Sequence, residues 1–487
     1  MERIITNTFV GFRKPGVGAS PLKSDLIRSD RYIRNKLRFS LKARGVAYAL
    51  FLYFFIQSGT LGLVPERWYI VYRSLRISDF ILVGLVIYSL FCAREYRELF
   101  KSKSFFIAKL FLGYLLFEFV ISAFQYQFNP LEYAFRLKGI WASFLVFPYL
   151  LLYKRDGWGY LFRLIFPVAV ISNVLYILTA LTGIAFMPDV SISLQSLPGG
   201  MSVYRVFGGT FYGEFFMLGI IYLWITKKFR LWQLLFVLLF ALPQLLAFGR
   251  NAWAFYIFVV LVFVFINSLK KKAFRLVARQ GILMILVLLT FIFCFIEFVP
   301  ESDYYIEALS ARVFQGKDDV QYSEGTYGTR VIFQNNSLVK LWSNSNLLVG
   351  IGMHPMWVVR PESFEEEVYY SSFCDVRWPA VLAAYGLIGL ALALFFQIYY
   401  IIISWKILKK MNQPNIQTFL VAFTFAQMIF DTFIDFTYNF ISIGLWGLVP
   451  LMNFLVAVIV YNYEKQKKDE KDAIINERLE ERANKIQ

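Results

Sequence analysis

Apolar residues along this chain gather in solid blocks of roughly twenty, the length that crosses a bilayer core as a helix. The polar breaks between blocks predict about twelve transmembrane helices, at 45–64, 78–93, 105–124, 137–153, 160–184, 206–226, 230–248, 252–268, 280–299, 378–403, 415–434 and 439–461. The expected fold is therefore an all-α polytopic membrane protein. A transmembrane β-barrel would show short alternating segments instead of continuous runs. The pattern divides the chain into a polar N-terminal tail (1–44), a first group of helices (45–299), one long polar loop (300–377), a second group of helices (378–461) and a polar C-terminal tail (462–487).

Charge adds an orientation. The N-terminal tail is rich in arginine and lysine and poor in acids, which assigns it to the cytoplasm. Counting onward, the loops Arg94–Lys103, Lys154-Arg155, Lys227–Arg230, Lys270–Arg275 and Lys406–Lys410 fall on that same side, and each is basic. The opposite loops are shorter or acidic apart from Arg67, Arg73 and Arg76, and in 300–377 acids outnumber bases roughly two to one. Both termini are expected in the cytoplasm and the long loop outside. The C-terminal tail mixes Glu and Lys at helical spacing and reads as a solvated helix. The N-terminal tail has no early apolar core, so the first span is expected to insert as an uncleaved anchor.

Composition narrows the chemistry. With 58% hydrophobic and only 17% charged residues, a soluble domain is excluded. The net charge of +17 follows from the basic inner loops, which lie against anionic lipid, and needs no nucleic-acid partner. Cys92, Cys294 and Cys374 form no metal-ligand spacing, and one histidine cannot build a His-rich site, so neither metal nor other cofactor is expected.

The candidate site residues lie on the predicted outer side. Arg205 opens the sixth predicted span, after the flexible Pro198-Gly199-Gly200 and before Gly208-Gly209-Thr210. A guanidinium beside glycine-rich backbone suits a phosphate, because its fork matches the oxygens and glycines let amides approach. Arg250 lies in the tight turn Ala247-Phe248-Gly249-Arg250-Asn251, and Arg312 and Arg330 belong to the long loop. Four arginines on one membrane face favour an anionic ligand such as a lipid pyrophosphate, the plain alternative being interfacial snorkelling. His354, in Gly350-Ile-Gly352-Met-His354-Pro355, stands on a constrained turn; its imidazole can take a proton from a sugar hydroxyl or simply bond the backbone. Glu118, Glu214, Glu297 and the Asp431/Asp435 pair are acids at or near bilayer depth. Among them Glu214, close in sequence to Arg205, is the best placed as an acid/base or ion-pair partner, whereas Asp431/Asp435 reads as capping or solvating a helix end. Trp342, Trp357, Trp378, Tyr369 and Tyr370 suit stacking on sugars or an interfacial belt.

Arg205-Val-Phe-Gly-Gly-Thr-Phe, Phe248-Gly-Arg250-Asn-Ala, Thr329-Arg330 through Leu348-Val-Gly350-Ile-Gly352-Met-His354, and Ala384-Tyr385-Gly386-Leu-Ile-Gly389-Leu occur in that order. The series resembles the landmarks of the O-antigen ligase and polymerase superfamily over about residues 200–395. That resemblance implies a metal-independent, inverting, GT-C-like glycosyltransferase acting on undecaprenyl-pyrophosphate-linked glycans in a bacterial inner membrane. It also implies pyrophosphate contacts for Arg205, Arg250 and Arg330 and an acceptor-side role for His354. Tyr212-Gly213-Glu214 stands where members often show Asn-Pro-Asn, so Glu214 inherits no role. Pro355 follows His354 where ligases carry a small polar residue, which turns the expectation towards a repeat-unit polymerase, with lipid-linked repeat units as substrate and a chain-length regulator and a flippase as partners. The alternatives are a ligase that transfers finished glycan to lipid A core or protein, and a flippase or other transporter, which should show broken helices, midplane charges and repeat symmetry.

Overall fold

The computed structural model describes residues 42–56, 70–72, 75–125, 141–187, 191–196, 202–207, 213–226, 231–246, 250–268, 347–350, 377–411, 415–434 and 448–486, with a few isolated residues between 297 and 339. These residues form a helical bundle. Its helices are α1 (42–56), α2 (Ile77–Phe91), α3 (Arg97–Lys101), α4 (Phe106–Gln125), α5 (Val146–Lys154), α6 (Trp158–Thr182), α7 (Gly213–Thr226), α8 (Leu231–Leu246), α9 (Arg250–Ser268), α10 (Arg377–Lys410), α11 (Ile416–Phe433) and α12 (Leu448–Ile486). Two short hairpins, β1 (Ile70–Tyr72) with β2 (Leu75–Arg76) and β3 (Ser191–Ser196) with β4 (Ser202–Phe207), complete it.

Burial separates inner from outer helices. α5 is buried from Val146 to Tyr153, and α7 buries nearly every side chain, as befits helices that are apolar all round. Outer helices instead expose apolar stripes at steps of three or four: Ile171, Val174, Leu178 and Leu181 on α6, and Phe395, Ile398 and Ile402 on α10. Exposed apolar surface on that scale is what lipid covers. Among the described residues four helices are long and apolar enough to cross a membrane, five if the bent pair Ile77–Phe91 and Ala93–Lys101 counts as one span. The count of twelve is thus not reproduced, because several apolar helices are shorter than a bilayer core and the expected span at 280–299 lies outside the described residues, apart from Glu297.

Three of the five expected basic loops, Arg94–Lys103, Lys154-Arg155 and Lys406–Lys410, meet at one end of the bundle, and Lys227–Arg230 and Lys270–Arg275 lie outside the described residues. Arg155, in the turn between α5 and α6, is 4% exposed and forks onto Glu95, Nε to Oε2 at 2.8 Å and Nη2 to Oε1 at 2.7 Å. Its remaining protons reach the Tyr88 hydroxyl, the Cys92 sulfur and the Lys42 carbonyl, joining α1, α2 and α5. Tyr399 and Tyr400 on α10 donate to the carbonyls of Lys103 and Ser104, Ser104 donates to Glu464 on α12, and Lys410 pairs with Glu470. The last apolar helix and the polar tail are one continuous helix, α12.

α10 is broken near the opposite end. Gly386 has φ 64° and ψ −169°, a conformation open in practice to glycine alone. Trp378 Nε1 reaches the Thr432 carbonyl at 3.4 Å, while the Thr432 hydroxyl bonds Gln397 Oε1 at 2.7 Å. A straight helix would hold residues 378 and 397 about 28 Å apart, so the chain folds back at Gly386. Three of the freed backbone groups have partners: Leu387 and Ile388 amides donate to the Leu347 and Leu348 carbonyls at 2.9 and 3.1 Å, and the Tyr114 hydroxyl of α4 donates to the Tyr385 carbonyl at 2.6 Å. Partners of this kind are what allow a break in an apolar helix.

Candidate functional site

Two of the expected landmarks are brought into backbone contact. Gly350 also has positive φ, 83°, and a Cβ built on it would lie 2.5 Å from the Gly386 nitrogen. A Cβ on Gly386 would lie 2.3 Å from the Leu348 carbonyl oxygen. The Leu347–Gly350 segment of the long loop is therefore dovetailed into the break of α10, at the end of the bundle away from the basic loops. His354, four residues further on, lies outside the described residues, as do Arg312 and Arg330.

α9 begins at Arg250 at this same end, since Phe255 packs on Phe430 near the finish of α11, while Phe265 stacks on Trp405 near the basic end of α10. The Arg250 and Arg205 side chains lie outside the described part of the structure, so their positions are known by backbone alone. For Arg205 the expectation of a helix opening is corrected: it stands in β4, paired with Ser193 of β3. Val203, Tyr204, Val206 and Phe207 are β-branched or aromatic residues that favour a strand, and the hairpin closes over the end of α6, where Tyr176 donates to the Val206 carbonyl at 2.9 Å.

Glu214 lies deeper. Gly213 abuts Asn173, near the middle of α6, so closely that a Cβ would meet Asn173 Oδ1 at 2.7 Å. The Glu214 carboxylate accepts from Gln244 Nε2 at 3.1 Å, and the Gln244 carbonyl accepts from Trp253 Nε1 at 2.9 Å, one turn into α9 from Arg250. Asn173 Oδ1 is buried with no hydrogen-bond partner among the described residues. A polar floor of Asn173, Glu214, Gln244 and Trp253 thus runs beneath the start of α9. No family model matches the chain, and no curated protein matches it significantly. What the site can do rests on its own geometry.

Two further acids are placed against expectation or beyond it. Asp431 is 7% exposed and accepts from Gln427 Nε2 at 2.9 Å, so it does not solvate a helix end; Asp435 is outside the described residues. The residue after Asp431, Thr432, bonds Gln397 under the fold-back of α10, a contact that no local sequence signal announces. Glu118, in the half of α4 away from the basic loops, is fully buried and neither carboxyl oxygen has a hydrogen-bond partner among the described residues. No group of three metal-ligating side chains occurs among the described residues.

Proposed function

We propose that the chain is a membrane glycan polymerase: it transfers a growing glycan from its undecaprenyl-pyrophosphate carrier onto the non-reducing end of a new lipid-linked repeat at the outer face of a bacterial inner membrane. The observation that carries this reading is the docking of Leu347–Gly350 into the α10 break. It anchors the chain four residues before His354, at the bundle end where α9 starts with Arg250 and β4 holds Arg205. The opposite end carries the basic loops, which supports an outward site by the positive-inside rule.

In the reaction the acceptor hydroxyl oxygen bonds to the anomeric carbon, the bond from that carbon to the pyrophosphate breaks, and the hydroxyl proton leaves to a base. Arg205, Arg250, Arg330 and Arg312 are the candidates to hold the leaving pyrophosphate, whose charge grows as the bond breaks. His354 is the candidate to orient or deprotonate the acceptor. Glu214, held by Gln244, supports the floor of the site as an acid/base or ion-pair partner. Purified protein supplied with undecaprenyl-pyrophosphate repeat units, without metal or nucleotide sugar, is expected to produce a product ladder. Arg250→Ala and His354→Ala should each lower extension by 10²-fold or more, and wild-type ladders from both would overturn the site assignment.

One observation favours a second reading, a lipid-linked oligosaccharide transporter: a broken helix next to a buried acid with no hydrogen-bond partner among the described residues is what such proteins use. Against it, groups on both sides of the break already bond to this chain's own groups. Movement of labelled repeat units across reconstituted vesicles, with no ladder, would select the transporter. Transfer only to an added lipid A core acceptor would select the ligase.

A further inference from the structure

Glu118 asks for a counter-ion that the described residues do not supply. Tyr114, Glu118 and Ser122 are spaced by four along α4 and so share one face. Glu118 and Ser122 are both 0% exposed. α4 runs antiparallel to α10: Tyr399 and Tyr400 meet Lys103 and Ser104, Phe396 meets Phe111 with ring centroids 5.3 Å apart, and Tyr385 meets Tyr114. That register sets Glu118 level with the first turn after Gly386. The helix start there is already capped by the Leu347 and Leu348 carbonyls, so it offers Glu118 no free amide at Leu387 or Ile388.

Tyr114 is the neighbour that acts on Glu118, and no charged group among the described residues does. The Tyr114 hydroxyl donates to the Tyr385 carbonyl at 2.6 Å, which leaves its oxygen as a further lone-pair donor one helical turn from Glu118. An isolated carboxylate out of water is strongly disfavoured, and a desolvated carboxylate with one hydroxyl and one broken-helix carbonyl oxygen nearby attracts a hard cation of single charge. We propose that Glu118, Tyr114 and the Tyr385 carbonyl form a monovalent-cation site, suited to sodium, that clamps α4 to the broken end of α10. Because the same break receives Leu347–Gly350, an ion there steadies the docked segment of the long loop. The proposal does not depend on which reaction the chain performs.

Full-length protein in detergent at pH 8, in sodium chloride or in choline chloride of equal ionic strength, tests it through the thermal unfolding midpoint. Sodium is expected to raise the midpoint by about 3 °C or more over choline, saturably, as a ligand of the folded state does. Glu118→Gln keeps the shape and removes the charge, and its midpoint should be the same in both salts. Tyr114→Phe, which removes one oxygen, should require more sodium for half the effect and covers the case in which Glu118→Gln does not fold. An equal sodium shift in Glu118→Gln or no shift in the wild type would overturn the site. So would a wild-type midpoint that responds to acid pH but not to sodium, since the carboxyl would then hold a proton instead.

Discussion

At the scale of single residues, the same change at different glycines should have opposite effects. Gly350 and Gly386 both hold positive φ, and each lies within van der Waals overlap of the other's backbone once a Cβ is added. Strain alone in such a conformation costs about 1–3 kcal/mol, and here the neighbour that must yield is backbone, not the tip of a flexible side chain. Gly386→Ala is expected to lower the thermal midpoint and to make the 300–377 loop more sensitive to protease. Gly113, mid-helix in α4 with nothing within 4 Å of its Cβ position, is the control: Gly113→Ala should stabilise by roughly 0.5–1 kcal/mol. Equal destabilisation by both would mean that the dovetail between loop and helix carries no special energy.

At the scale of elements, Arg155 and Glu95 tie three helices together through one buried fork. The hydrogen bonds from Arg155 hold the Glu95 carboxyl below the usual carboxylate range despite the opposing effect of burial. A folded-state pKa depressed below the unfolded value gives stability that is present above the unfolded carboxylate pKa and is lost as pH falls through the folded one. Glu95→Gln should therefore be less stable at neutral pH, by less than the roughly 3–5 kcal/mol of a fully buried broken pair, because Glu95 is 30% exposed. Its midpoint should also fall less steeply between neutral and acid pH than that of the wild type, as followed by thermal scans across that range; parallel profiles would remove Glu95 from the acid response.

The elements also show what hydropathy can and cannot reveal. Long apolar runs predicted most described helices to within a few residues, α6 at 160–184 against Trp158–Thr182 and α11 at 415–434 against Ile416–Phe433. The α10 run was equally plain, yet its break was invisible. Ala384-Tyr-Gly-Leu-Ile-Gly389 is as apolar as its surroundings, and the fold-back exists only because Leu347, Leu348 and Tyr114 cap the freed groups. Arg205 was assigned to a helix because its neighbours are apolar, although Pro198-Gly199-Gly200 carried a turn signal and the β-branched and aromatic residues after it suit a strand. Glu118 was visible as a costly residue, while its lack of a hydrogen-bond partner among the described residues is a fact of packing.

At the scale of the whole molecule, the charge pattern and the contacts describe the same two-ended bundle by independent routes. Positive-inside logic grouped Arg94–Lys103, Lys154-Arg155 and Lys406–Lys410 on one side without reference to packing. Hydrogen bonds and ion pairs bring those same segments together with the start of α1 and the middle of α12. At the other end lie the finish of α6 with its hairpin, the start of α9 and the break of α10. If the grouping reflects the membrane, single cysteines at Asp156, Lys410 and Lys468 should react with an impermeant maleimide from one side only, and a cysteine at Thr182 from the other. The native cysteines are first replaced by serine, and labelling is compared in inverted and right-side-out vesicles. The expected sidedness puts the first three inside. Labelling of all four from one side would break the bundle's polarity and, with it, the argument that the Arg250 end faces outward. The reverse sidedness would leave the bundle intact but turn the candidate site to the cytoplasm, where a polymerase fed from the outer leaflet could not work.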